Sequence, residues 1–243
     1  MPSTSHATDH PPVLPPLGDR PLPTLAALLP FLLVLEYMLI TSGDASTANR
    51  VLAHERIGET LHFFGLSPIF ILHGTALLIT AVLLIWQSLS QLPWRMGVFE
   101  PVQLVVEGII GAAPLLAGAA FLGSMQSTPL TGPVVSPTAT LDVVAVAIGA
   151  GLSEEFLFRM VGILAVHTLL TDVFKVRHGA STIIAVVATA AAFTLYHDPS
   201  GMPDTTVAFV AAAGVYLGTL YVLRGFAVAV IAHIGYDLVA LLG

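Results

Sequence analysis

The chain predicts an all-α fold, a polytopic membrane bundle of about seven to eight transmembrane helices, on three observations. Hydrophobic residues make up 56% of its 243 positions and charged residues only 9%. Mean hydropathy is +0.89. The apolar residues fall into runs near the ~20 that cross a hydrocarbon layer of ~30 Å. Backbone polar groups must be satisfied within each segment in lipid, so runs of that length are helices. Too little polar surface is left for a soluble globule, and residues 22–243 read as one membrane-embedded domain.

Taken in order, residues 1–21 read as a flexible Pro-rich tail, since seven prolines, among them Pro11, Pro12, Pro15 and Pro16, fall within the first 23 positions. No basic stretch leads directly into an apolar core with a small-residue cleavage site, so the first span, 22–42, reads as retained. Further spans are read at 65–87, 100–124, 139–171, 180–197, 204–223 and 226–242. Between the first two, Arg50, His54, Glu55, Arg56 and Glu59 alternate with Val51, Leu52, Ile57 and Leu61, which suits an interfacial helix over 44–64 or a solvated loop. Pro129, Gly132, Pro133 and Pro137 make 126–138 a loop. Arg20, Arg95, Lys175, Arg177 and Arg224 fall on one side of seven spans, against Arg50 and Arg56 on the other. The bias of cytoplasmic loops toward Lys and Arg then puts the N-terminus inside and the C-terminus outside; the expected location is the plasma membrane of a prokaryote.

Absence of cysteine excludes disulfides, thiolate nucleophiles and Cys-ligated metals, so any chemistry uses oxygen and nitrogen. A scattered formal charge of −7 with no basic cluster excludes nucleic acid as a partner. The expected partners are a peptide or protein substrate and membrane lipid.

The fourth span is too long. Its 33 residues would measure ~50 Å as an α-helix. Either it protrudes into water, or it breaks near Gly149-Ala150-Gly151 and restarts with Ser153 as N-cap. Within it lies the most unusual run of the chain, Ser153-Glu154-Glu155-Phe156-Leu157-Phe158-Arg159. Acids and arginine at the centre of a membrane helix cost roughly 2.5–3.5 kcal/mol each, so they need partners, water or a function. Glu155 and Arg159 are four apart and share a face, whereas Glu154 is rotated by about 100° and is free to face a cavity as a base. Read blandly, all three clamp helices together.

Two further polar pairs recur at i, i+4 spacing: Phe193 with His197, and His233 with Asp237. His197 alone would suit a helix end, because Asp198, Pro199, Ser200 and Gly201 follow it, and a His–Asp pair alone would suit a helix tie. A Glu, two His and an Asp on three membrane helices are costly unless they meet in one hydrated pocket.

In order, Glu154-Glu155-x-x-x-Arg159, Phe193-x-x-x-His197 and His233-x-x-x-Asp237 resemble the three motifs of the CPBP family. These are the CAAX prenyl proteases and bacteriocin-processing (Abi-type) enzymes, intramembrane glutamic endopeptidases, and the resemblance covers residues 139–243. It implies that Glu154 and His197 bind and activate a water, that His233 and the residue at 237 stabilise an oxyanion, and that Glu155 and Arg159 form a supporting ion pair. It implies no cofactor, and lipidated C-termini as one substrate class. Asp237 departs from the Asn of the prenyl-protein members. An ionised Asp cannot donate to an oxyanion, so Asp237 is either protonated or a carboxylate that orients His233, the role favoured here.

The same four residues could also ligate Zn²⁺ with an open site for water, although no HExxH is present. A non-catalytic immunity factor, scaffold or proton-coupled carrier is the third reading. Glu36, Glu100, Glu107, His73, Asp142 and His167 are expected to be structural or interfacial. Ala188, Ala190, Ala191 and Ala192, with Gly214 and Gly218, are read as close-packing faces. One difficulty remains: in straight spans His197 lies at a helix end, His233 at mid-depth and Glu154 in the opposite half of its helix, so the boundaries must shift if the four are to meet.

Overall fold

The computed structural model describes residues 14–41, 68–125 and 137–242. The stretch 44–64 and nearly all of 126–138 lie outside them, as do residues 1–13 of the tail. All regular structure among the described residues is helical, in seven rods: α1 (Pro21–Thr41), α2 (Pro68–Leu89), α3 (Phe99–Met125), α4 (Pro137–Glu154, continued to Val173), α5 (His178–Tyr196), α6 (Asp204–Arg224) and α7 (Phe226–Leu242). Each coincides within a few residues with a span read from hydropathy. Five rods are long and apolar enough to cross a membrane by length and composition, and His73–Leu89 and Phe226–Leu242 are shorter apolar helices.

The side-chain distribution suits lipid. Leu33, Tyr37, Ile40, Leu77, Ile109, Ile110 and Leu223 point outward, while Glu154, Glu155, Arg159 and His233 are buried. α7 is the axis of the bundle. Nine successive residues, Phe226–Ile234, are buried, as expected of a helix that is apolar all round. It packs most extensively on α3 and then on α4, and small residues let those backbones approach. A Cβ on Gly108 would stand 2.5 Å from Ile231 Cβ, and one on Gly151 2.5 Å from Ile234 Cγ1.

The fourth rod does not break at its glycines. Ser153 Oγ donates to Gly149 O at 2.7 Å, and Glu154 keeps α-helical dihedrals (φ −69°, ψ −43°). Ser153 is therefore inside the helix and caps nothing, and Gly151 serves contact with α7. Directly after Glu154 the helix widens to π-type i→i+5 bonding over Glu155–Ile163, and again over Leu169–Val173. Such segments are rare and concentrate where a helix must re-aim functional side chains.

Residues 14–20, counted in the tail from their prolines, are folded. Leu17–Asp19 form a 3-10 turn seated on the α6–α7 junction, where a Cβ on Gly18 would stand 2.0 Å from Arg224 O. Gly225 has φ +91° and would carry its own Cβ 2.2 Å from Gly18 O, so two glycines are required where two backbones touch. Arg20 pairs with Glu100 at 2.7 Å, and Gln87 accepts from Leu22 N–H at 3.2 Å. Proline composition alone does not reveal these partners, which come from distant segments.

Candidate active site

α4 and α5 form an antiparallel hairpin across the short turn 174–177, and this turn sets the depth of the polar groups. Glu154 and His197 each lie twenty residues from it. The register follows in steps of four. Gly162 faces Thr189, whose Cγ2 would be 3.1 Å from a Cβ on the glycine. Phe158 meets Phe193 edge-on at 5.3 Å, and Glu154 meets His197. The expected mismatch in depth does not arise, because α4 continues past the level at which α5 ends. On α7, the Gly151–Ile234 contact fixes the neighbouring His233 at the same level.

The site thus brings together every residue anticipated for it. Glu154 Oε2 lies 3.9 Å from His197 Nε2 and 3.8 Å from His233 Nε2. Asp237 Oδ2 lies 3.4 Å from the same His233 nitrogen. Glu155 Oε1 forms an ion pair with Arg159 Nη1 at 3.0 Å and accepts from His233 Nδ1 at 2.8 Å. Arg159 stacks over the Phe193 ring, 4.4 Å from its centroid, and Nη2 donates to Gly214 O at 3.4 Å. Phe193 also lies against the rings of His197 and His233. Glu155 and Arg159 are 0% and 1% exposed, so this pair is out of water and is held by hydrogen bonds with groups of two other helices, His233 on α7 and Gly214 O on α6, and by the Phe193 ring of α5.

The acceptors fix one ring hydrogen on each histidine. A carboxylate and a carbonyl can only accept, so His233 carries hydrogen on Nδ1, toward Glu155, and His197 carries hydrogen on Nδ1, toward Phe193 O at 2.9 Å. Nε2 of each ring is thereby turned to Glu154. The structure gives Glu155 the orienting contact on His233 that was expected of Asp237. Asp237 stands beside Nε2, on the wall of a cavity.

That cavity, of about 240 Å³, is lined by His197, His233 and Asp237 on one side and by Leu115, Phe209 and Leu217 among others on the rest. Tyr236 and Thr206 add hydroxyls to its wall. Sequence reasoning did not single out Tyr236, although it stands three residues from His233 and so on the same helical face. Thr206 and Phe209 carry no signal of their own. An acid, two imidazoles of fixed orientation and an apolar chamber can hold a polarised acyl group, move a proton and stabilise a negative oxygen.

Glu36, Glu107, His73 and His167, expected to be structural or interfacial, have partners away from the chamber. Glu36 meets His73 Nδ1 at 2.5 Å, Glu107 meets Arg224 Nη2 at 2.5 Å and accepts from Gln103 at 2.9 Å, and His167 meets His178 at 2.9 Å. The Asp142 side chain lies outside the described set. Gly214 and Gly218 face Ala190 and Val186, so this glycine pair is the α5–α6 packing face it was read as.

Residues 136–239 match the model of a known family, described as Rce1-like, type II CAAX prenyl endopeptidase. The match spans all three motifs and bears out the family resemblance over that stretch. With the apolar rods, it supports an integral multi-pass membrane protein. No curated protein and no solved structure matches the chain.

Proposed function

Taking the Rce1-like match over residues 136–239 as premise, we propose that this protein is an intramembrane glutamic endopeptidase that hydrolyses a peptide bond with a water activated by Glu154 and His197. The observation that carries this is the placing of one Glu154 oxygen before Nε2 of two imidazoles, at 3.9 and 3.8 Å, beside a cavity. Both separations exceed a direct hydrogen bond and suit one shared water.

Glu154 takes a proton from that water as the hydroxide oxygen bonds to the scissile carbonyl carbon. The carbonyl oxygen becomes an oxyanion, which His233, carrying a second proton on Nε2 as an imidazolium between Glu155 and Asp237, stabilises through Nε2–H. Glu155 fixes that ring through Nδ1, and Asp237 supports the Nε2 proton. As the C–N bond breaks, the proton held by Glu154 and His197 passes to the leaving amine. General base catalysis of this kind is worth about 10²–10⁴-fold, and each preorganised oxyanion donor about 10²–10³-fold.

The substrate is a peptide or protein at the bilayer. The family description supports a prenylated C-terminus of the CAAX type, and the apolar chamber suits an aliphatic side chain near the cleaved bond. This mechanism is metal-independent, and zinc held by Glu154, His197, His233 and Asp237 is the alternative that a chelator distinguishes. A peptide library, with and without prenylated members, is to be incubated with detergent-solubilised wild type and Glu154→Ala, each with and without chelator. Cleavage by wild type alone, indifferent to chelator, is expected. Chelator-sensitive cleavage with bound zinc would replace this mechanism by a metal one. Cleavage that persists in Glu154→Ala would remove the glutamate from it.

A further inference from the structure

His197 is the last residue before α5 gives way to the α5–α6 connection, and the residue after it has an unusual backbone. Asp198 is left-handed, with φ 51° and ψ 73°. Among the described residues the only other non-glycines with positive φ are Gln91 and Lys175, in the turns after α2 and α4. Pro199 follows, and a proline disfavours the right-handed helical region in the residue before it, so α5 cannot run through position 198. Asp is one of the few L-residues that tolerate the left-handed region, whereas a β-branched residue there is a true outlier. Two contacts hold the turn: Asp198 N–H donates to Leu195 O at 3.2 Å, and Ser200 Oγ donates to Asp198 Oδ1 at 2.5 Å.

The consequence falls on His197. Its backbone N–H still reaches Phe193 O at 3.3 Å, and its Nδ1 donates to that same carbonyl at 2.9 Å. The imidazole is pinned to the final turn of the helix by its own ring, which leaves Nε2 toward Glu154. The pin works only if the helix keeps its geometry through residue 197 and turns away immediately after.

We propose that Asp198 is a positioning residue: its left-handed turn ends α5 on His197 and so holds the imidazole with Nε2 facing Glu154. This rests on the endopeptidase reading of the site. The backbone at 198 carries the role, and the carboxylate accepts from Ser200.

The test compares Asp198→Asn, Asp198→Gly, Asp198→Ala and Asp198→Val with wild type, in detergent, on a peptide that wild type cleaves, with Glu154→Ala as the inactive reference. Asn, which tolerates the left-handed region and can accept from Ser200, is expected to match wild type. Gly is expected to stay within a few-fold, while Ala and then Val lose kcat progressively, Val by about tenfold or more, with KM little changed. Histidine ¹⁵N NMR gives a readout independent of turnover: His197 is the Nδ1–H tautomer in wild type, Asn and Gly variants, and loses that preference in Val. Should Val fail to fold, the Gly-to-Ala contrast carries the comparison. Full activity and an unchanged His197 tautomer in Val or Ala would overturn the proposal, as would a Gly variant as impaired as Val. If Glu154→Ala cleaves like wild type, the endopeptidase reading falls, while the tautomer series still decides whether Asp198 positions His197.

Discussion

Two sets of charges sit inside this bundle, and they are built differently. At the edges, charges meet one to one: Arg20 with Glu100, Arg224 with Glu107, Glu36 with His73. At the centre, three carboxylates share one arginine and two imidazoles, and a single Glu155 oxygen serves both Arg159 and His233. A pair that neutralises itself needs nothing further to be stable in lipid. A set with surplus acid, drawn from three helices onto a cavity, is expensive to keep and implies chemistry. Stoichiometry and convergence, rather than burial alone, separate function from structural pairing.

The sharpest way to break this comparison is Glu155→Ala. It strands the Arg159 guanidinium, which is 1% exposed, and unpins His233, so a stability loss of about 3–5 kcal/mol is expected together with loss of cleavage. Thermal unfolding in detergent reads the first and peptide hydrolysis the second, and an active, stable variant would deny Glu155 its shared role. Glu154→Gln follows, with activity expected to fall by about 10²–10⁴-fold at unchanged unfolding temperature. A large loss of stability would instead move Glu154 into the structural class. Gly151→Ala, which puts a methyl 2.5 Å from Ile234 Cγ1, is expected to cost about 1–3 kcal/mol by overpacking, and to lower kcat because His233 is the neighbouring residue. Smallest is Glu107→Gln. Its partner's side chain is 51% exposed, so the expected loss is under about 1 kcal/mol with activity intact. Inactivation by Glu107→Gln would erase the distinction between the two sets.

Much of this was legible beforehand. The seven helices could be read because lipid demands long apolar runs and the chain has few residues that blur their ends. The site could be named because Glu154, His197, His233 and Asp237 are conspicuous in an apolar background. Their common depth is hidden when straight spans are placed by their own ends, which puts His197 at a helix end and Glu154 in the opposite half. The turn at 174–177 is the common origin, and counting twenty residues outward in both directions would have levelled Glu154 with His197. The π-helical turns after Glu154 left no trace, as they depend on how α4 is held by its neighbours. Glu155 looked like a simple i, i+4 partner of Arg159 because sequence spacing sees only its own helix and the contact to His233 comes from another. Asp198 is by type an ordinary turn residue, and only its backbone angles set it apart.

The central position of α7 bears on how the bundle is assembled during synthesis. Insertion delivers helices in chain order, yet the helix that fills the axis comes after α1, α3, α4 and α6, which line it. Until it arrives, those four have no common surface to close upon, and the acids of α4 lack His233. The ribosome therefore hands the membrane a wall before its pillar, and the cluster of Glu154, His197 and His233 cannot form on a nascent chain that stops short of α7.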